Sequence, residues 1–213
     1  MDIVVLIVLC VGSILAIATI LILVTLIAKS ADGTTEERTW EWPWERAGRL
    51  GEKYATGFIS SILNDEDRLF TNVKVSYDGK DAELDEVIVS PRGVFVIEVK
   101  NYKGELRGDT ADYEWIKYKT SDSGEVYEKT VRNPIKQGRR QEYILSNYLR
   151  ENGINVWVES YVFFVQQNSP VKDDCVLETF DDIDMAIHNG TDNGLSDNEI
   201  LKIIELLGAN NFS

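Results

Sequence analysis

Three ionisable residues near the middle of the chain stand at spacings that two paired strands would bring together: Asp85, Glu98 and Lys100. The stretch around them, Ala82 to Leu106, reads as two strands, Glu83–Ser90 and Gly93–Lys100. They are joined by Ser90-Pro91-Arg92-Gly93, which carries the Pro and Gly of a tight turn. If Ser90 faces Gly93 across the turn, Asp85 falls directly opposite Glu98. Directly opposed residues of an antiparallel pair point to the same face, with Cβ atoms about 5 Å apart. Lys100, two residues beyond Glu98, shares that face. Two carboxylates and an ammonium are therefore expected at one spot on a largely apolar sheet. Like charges directly opposite destabilise a strand pair. A hard divalent cation with oxygen ligands would remove the conflict. A salt bridge to Lys100 would do so too, and both readings are open on these residues alone. Glu-x-Lys at alternate strand positions is commonly a surface ion pair. Here the apolar run Val94-Phe95-Val96-Ile97 leads into Glu98 and suggests a buried central strand. Asn101-Tyr102-Lys103-Gly104 then follows as a turn that keeps charge near the strand end.

The elements that must hold these residues read as follows. Glu45 to Leu63 has helical spacing, with Leu50, Tyr54, Phe58 and Ile62 recurring at intervals of four. Glu52 lies off that stripe, so the plain reading makes it a solvent-facing helix residue. Leu69 to Tyr77 alternates as a strand, and Tyr77-Asp78-Gly79-Lys80 supplies a turn into the central hairpin. Tyr113–Thr120 and Glu125–Thr130 read as an outer hairpin around Ser121-Asp122-Ser123-Gly124. Asn133-Pro134 opens a helix to about Glu151, with Asn133 as N-cap and Pro134 in the first turn. Ile135, Tyr143, Leu145, Tyr148 and Leu149 form its apolar face, and Gln137 sits one turn in, as a solvated residue on the plain reading. Asn155–Val165 is a strong strand, and Cys175–Thr179 a short one. Leu195–Leu207 is an amphipathic closing helix with Ser196 as N-cap and Gly208 as its stop. This order gives a mixed α/β layered fold around a central sheet.

Ile3 to Ala28 is a run of 26 residues without charge. As a helix it would be about 39 Å long, enough to cross a hydrocarbon core of about 30 Å. The preceding segment is only Met1-Asp2 and the apolar run exceeds that of a cleaved signal, so a retained anchor is expected. Lys29, Arg38, Arg46, Arg49 and Lys53 all follow the run, which favours a cytoplasmic location for the rest of the chain. The organisation expected is a membrane anchor over residues 1–29, a linker with a Trp-rich arm over 30–45 (Trp40, Trp42, Trp44), and one domain over 46–213.

The formal net charge is -14, which repels nucleic acid at long range and excludes a protein that coats it by charge alone. A local basic cluster runs against this: Lys129, Arg132, Lys136, Arg139 and Arg140, readable as a solvated helix face or as a phosphate-binding patch. Two cysteines, Cys10 and Cys175, lie too far apart in organisation to form a disulfide framework, and Cys/His zinc sites have no ligands to build from. The single histidine, His188, is expected at the surface. Neither a Walker loop nor a dinucleotide-binding glycine motif is present, so nucleotide-driven chemistry has no support.

Together these residues resemble a known family. Gly51-Glu52, then Asp85-Glu86-Val87-Ile88-Val89-Ser90-Pro91, then Gly93-Val94-Phe95-Val96-Ile97-Glu98-Val99-Lys100-Asn101-Tyr102-Lys103-Gly104, then Asn133-Pro134-x-x-Gln137, look like the nuclease-related domain, NERD, of the PD-(D/E)xK nuclease superfamily. The resemblance covers roughly 46–149. It implies a restriction-endonuclease-like central mixed sheet flanked by helices, here preceded by one transmembrane helix. It implies Mg²⁺ or Mn²⁺ held by Asp85, Glu98 and the backbone carbonyl of Val99, with Lys100, Glu52 and Gln137 acting beside it. The expected activity is hydrolysis of DNA or RNA phosphodiesters at the membrane. The expected partners are nucleic acid and, through Ile3–Ala28, the bilayer. A catalytically silent module of the same fold, binding nucleic acid or protein, is the other reading, favoured by the negative charge. An ion-paired core without any metal is a third.

Overall fold

The computed structural model describes residues 43–121, 123–189 and 194–210. The apolar run Ile3–Ala28 and the arm carrying Trp40 and Trp42 lie outside the described residues. Among the described residues no helix is long and apolar enough to cross a membrane.

Helix α1 (Pro43–Ile62) leads into strands β1 (Arg68–Tyr77), β2 (Lys80–Ser90) and β3 (Gly93–Lys100). Strands β4 (Leu106–Arg107), β5 (Glu114–Thr120) and β6 (Val126–Arg132) follow, then helix α2 (Pro134–Glu151) and strands β7 (Val158–Phe164) and β8 (Val176–Leu177). Helices α3 (Phe180–His188) and α4 (Asp197–Asn210) close the chain. The main sheet has the order β1-β2-β3-β7-β8, and β4-β5-β6 form a second sheet. Strand β2 pairs antiparallel with both β1 and β3, whereas β3, β7 and β8 run parallel. The architecture is thus mixed α/β, with a central mixed sheet flanked by helices, as expected.

Strand β3 sits in the middle because both its faces are apolar. Val94 and Val96 pack with Ile144, Leu145 and Leu149 of α2 and Ile203 and Leu207 of α4. Phe95, Ile97 and Val99 pack on the other side with Ala55 and Ile59 of α1 and Ile183 and Ile187 of α3. A strand covered on both faces reads as a continuous apolar run, which is why this one stood out in the sequence. The second sheet joins the main one through Leu106 and Trp115 packed against Ile135, Val162 and Phe164.

Local signals account for most boundaries. Asp78 and Gly79 have φ of 50° and 67°, the paired left-handed conformation that a two-residue hairpin turn between β1 and β2 requires. Asn133 caps α2, its side chain accepting the N–H of Ile135 at 2.9 Å, with Pro134 at the first helical position.

Four expectations need correction. The buried side of α1 is Gly51, Ala55 and Ile59, and Leu50 and Tyr54 are exposed, so the apolar stripe lies one position along from the one expected. Small residues allow the close approach to the sheet that larger ones would block. The closing helix runs through Gly208 to Asn210. A glycine in the last turn is tolerated where nothing packs against it, and a Cβ there would meet open space. Helix α3 went unread as a helix although Thr179 and Asp182 form a complete capping box. His188, at its end, is largely covered: its side chain is 15 % exposed and lies 2.6 Å from Asp184 and 3.5 Å from Asp67.

Candidate functional site

The β2–β3 ladder has the expected register, Ser90 opposite Gly93 through Glu86 opposite Ile97. It stops one pair short of Asp85 and Glu98. On the other side of β2 the β1 ladder pairs Thr71 with Glu86 and Val73 with Leu84, skipping Asp85 and Asn72. Asn72 has φ of 53°, a left-handed conformation that Asn tolerates better than most residues. The packing records the same irregularity. Leu84 and Val87 share one core, as do Phe70 and Val73, where regular alternation would put each pair on opposite faces. Strand β2 is therefore re-aimed at Asp85, and the Asp85 carboxylate enters the space where the ladder would have run. Its Oδ2 accepts the backbone N–H of Val99 at 2.8 Å.

Glu98 is buried, 1 % exposed, and both its oxygens are engaged. Lys100 Nζ and Gln137 Nε2 donate to Oε1, and Gln141 Nε2 donates to Oε2. Gln141 also reaches the carbonyl of Glu83 at 3.0 Å. The two glutamines are one helical turn apart on α2 and so present one face to the sheet.

The electrostatics follow from this crowding. Burial, and then the neighbouring Glu98, push Asp85 up to about 7, against the opposing pull of Lys100 and the Val99 N–H. Burial is the largest influence on Lys100 and lowers it, but Glu98, Tyr102 and Asp85 together outweigh it and leave the ammonium above its ordinary value. Glu52 is raised by burial and by Glu98 and Glu83, with Lys100 opposing. These couplings place Asp85, Glu98, Lys100 and Glu52 in one electrostatic cluster. Glu52 is there because α1 approaches the sheet closely at Gly51, where a Cβ would stand 2.6 Å from Asn101 Cβ. Asn101 in turn ties the strand end to α1 by donating to the carbonyl of Ala47 at 2.8 Å.

On the opposite face of β2, Glu86 is also 1 % exposed. Thr56 donates to its Oε1, while Oε2 has no partner. Burial is the main cause that pushes Glu86 up to about 8; the Thr56 hydrogen bond pulls down, and Asp85 and Glu52 push further up.

Hydrogen bonds join Asp85 to Val99 and both Lys100 and Gln137 to Glu98, while Glu52 is linked to them through electrostatic coupling alone. Gln137 touches Glu98 directly and is not a solvated helix residue. Val99 contributes its N–H to Asp85. Among the described residues no three His, Cys, Asp or Glu side chains are arranged to enclose a metal ion. Gln141 and Glu86 were missed; for Gln141 the available signal was its four-residue spacing from Gln137.

The basic cluster divides. Arg132, Lys136 and Arg140 line a groove of about 490 Å³ whose wall includes Gln137 and Gln141. Tyr113, 80 % exposed, stands at its edge with Lys136 Nζ 4.9 Å from its ring centre. Arg139 points elsewhere, 3.9 Å from Asp173. Lys129 lies on β6, paired across the ladder with Lys117.

A family profile described as nuclease-related domain, NERD, matches residues 47–165. That span contains α1 from its second turn, both sheets up to β7, and every residue of the cluster. Neither a curated protein nor a solved structure matches the chain.

Proposed function

Because the chain belongs to the nuclease-related domain family, we propose that it is a metal-dependent nuclease that hydrolyses phosphodiester bonds of DNA or RNA. The observation that carries this reading is the Glu98 carboxylate, buried on the central strand, bracketed by Lys100, Gln137 and Gln141, with Asp85 steered out of its ladder beside it.

The donor set fits a hard divalent cation. Asp85 and Glu98 offer carboxylate oxygens that repel each other in a buried site, and Mg²⁺ is commonly held by one or two carboxylates, with water and substrate phosphate as further ligands. Asp85, Glu98 and the carbonyl of Val99 would hold Mg²⁺ or Mn²⁺, and the bound ion would supply Lewis-acid polarisation of a phosphoryl oxygen and an acidified water. The chain's own groups have distinct tasks. Lys100, held above its ordinary value, stays charged at neutral pH. It is therefore suited to donating to the negative charge that develops on phosphorus oxygens. Gln137 and Gln141 fix the Glu98 carboxylate in orientation. Glu52, which feels Lys100 and Glu98, would hold a water of the site. Arg132, Lys136 and Arg140, set against Asp81 and Glu83 in the same groove, leave a small local excess of positive charge for the approaching backbone in an acidic protein.

Ile3–Ala28 would anchor the chain as a single-pass protein with this domain on the cytoplasmic face. The support is the uncharged length of that run and the Lys and Arg residues that follow it.

A second reading is a catalytically silent module of this fold that binds nucleic acid or protein at the membrane. It is favoured by the hydrogen-bond network of Glu98, which is complete without any metal. Incubating the full chain with plasmid, linear duplex and single-stranded substrates, with Mg²⁺, Mn²⁺ or EDTA, separates the two. Metal-dependent strand scission that Lys100→Ala abolishes supports the nuclease. Retention of every substrate intact under all conditions supports the silent module.

A further inference from the structure

Lys117 is an exception among the lysines. It is buried, with 8 % of its surface exposed, whereas lysines are almost never covered to that extent unless paired. Among the described residues no carboxylate lies within ion-pair distance of it. Its ammonium stands 4.5 Å from the ring centre of Tyr102. An aromatic face attracts a cation but does not neutralise it. Lys129 is its cross-strand partner, and Lys119, two residues along β5, shares its face. Like charges directly opposite destabilise a strand pair. Burial, and then Lys119 and Lys129, bring Lys117 down to about 8. Three ammonium groups are thus gathered on one side of the second sheet in a chain of net charge -14.

The position of this group matters as much as its charge. Tyr102 follows Lys100 by two residues, and its phenol feels Lys100, Glu98 and Asp85 in addition to its own burial. Lys117, over the Tyr102 ring, therefore lies beside the chain that leaves the end of the strand carrying Glu98 and Lys100. A polynucleotide with one phosphate at Glu98 and Lys100 carries further phosphates on either side along its backbone.

We infer that Lys117, with Lys119 and Lys129 beside it, forms a phosphate-binding surface that grips the nucleic-acid backbone next to the phosphodiester at the site. The inference rests on the nuclease reading for the identity of the anion. The anion supplies the countercharge that Lys117 lacks, and Tyr102 spaces this contact from Lys100. The contact is to backbone and carries no base preference.

The test is binding of a fluorescein-labelled oligonucleotide to the full chain in detergent, followed by anisotropy, in EDTA and with Ca²⁺ in place of Mg²⁺. Single-stranded and duplex DNA and single-stranded RNA form separate arms. Lys117→Met is expected to weaken binding about tenfold whatever the base sequence and to reduce the slope of log affinity against log salt by about one. Lys117→Arg should retain most of the affinity. Lys119→Met, at a less buried position, should weaken binding about threefold, and it serves as the test if Lys117→Met does not fold. Unchanged affinity and salt slope in these variants overturn the inference. So does failure of the parent chain to bind any arm. Binding that depends on Lys117 without any cleavage keeps the inference and defeats the nuclease reading. Cleavage with binding indifferent to Lys117 defeats the inference alone.

Discussion

The two sheets of this molecule each set like charges against one another, and they resolve the conflict in opposite ways. On the main sheet, Asp85 and Glu98 are two acids in a buried place. Each is answered from within the chain: Glu98 by Lys100, Gln137 and Gln141, and Asp85 by the Val99 N–H. On the second sheet, Lys117 faces Lys129 and lies over an aromatic ring, and among the described residues no carboxylate pairs with it. A group held by several donors is preorganised and costs nothing further to position when substrate arrives. A charge with no partner is a vacancy for a ligand of opposite sign. The acid cluster therefore has the character of a place for chemistry, and the lysine cluster that of a place for grip.

If the comparison is right, mutations in the two clusters should fail differently. The largest effect is expected at Lys100. Lys100→Ala should lower the single-turnover cleavage rate by a factor of about 10² to 10³ while leaving metal binding nearly intact. Changes at Lys117 should act on substrate affinity instead. A large loss of single-turnover rate from Lys117→Met at saturating substrate would erase the distinction between the two clusters. Next is Gln141→Leu, which leaves Glu98 Oε2 without its donor in a buried place. Denaturant unfolding should show a loss of about 1–3 kcal/mol. Stability equal to the parent would mean that the network does not hold Glu98.

The pH dependence of stability is a third way in. Glu86 rises from an ordinary value of 4.5 to about 8 in the fold, because burial favours its neutral form. Its contribution is full below about 4.5, shrinks as pH climbs and the unfolded chain releases the proton first, and is gone above about 8. Asp85, raised to about 7, acts in the same direction. Thermal melts should therefore fall between these limits, and Glu86→Gln should flatten the fall. An equal slope in the variant would show that Glu86 is already charged. The smallest effect separates the clusters by sign. Removing the charge of Glu98 or Lys100 leaves its buried partner unpaired and destabilises, whereas Lys117→Met relieves repulsion. Without nucleic acid it should leave the domain as stable or stabilise it by up to about 1 kcal/mol.

Much of this was legible beforehand because it depends on period and register. The run Val94–Ile97 announced a strand covered on both faces, and the turn Ser90–Gly93 fixed the pairing that brings Asp85 towards Glu98. The exit of Asp85 from the ladder was not legible. It depends on a left-handed Asn72 on the neighbouring strand, a tertiary accommodation without a local signal. Helix α1 was placed correctly, and Phe58 and Ile62 of the expected stripe pack on the core, but the fully buried line runs through Gly51, Ala55 and Ile59, the first two of which carry little hydrophobic signal. That one-position error also hid the reason Glu52 reaches the site. Lys117 went unnoticed because alternation in an outer hairpin puts a lysine inward only when something makes the burial tolerable, and a sequence does not display that partner.

The most direct test of the central claim is calorimetric titration of Mg²⁺ and Mn²⁺ into the full chain, with uncleavable oligonucleotide present, beside Asp85→Asn. Binding of metal must displace the proton that Asp85 carries below about 7, so parent affinity should rise with pH up to that value. The account predicts saturable binding in the parent that Asp85→Asn abolishes. Identical heats from both chains, or none from either, would contradict a carboxylate metal site and leave the domain as a binding module.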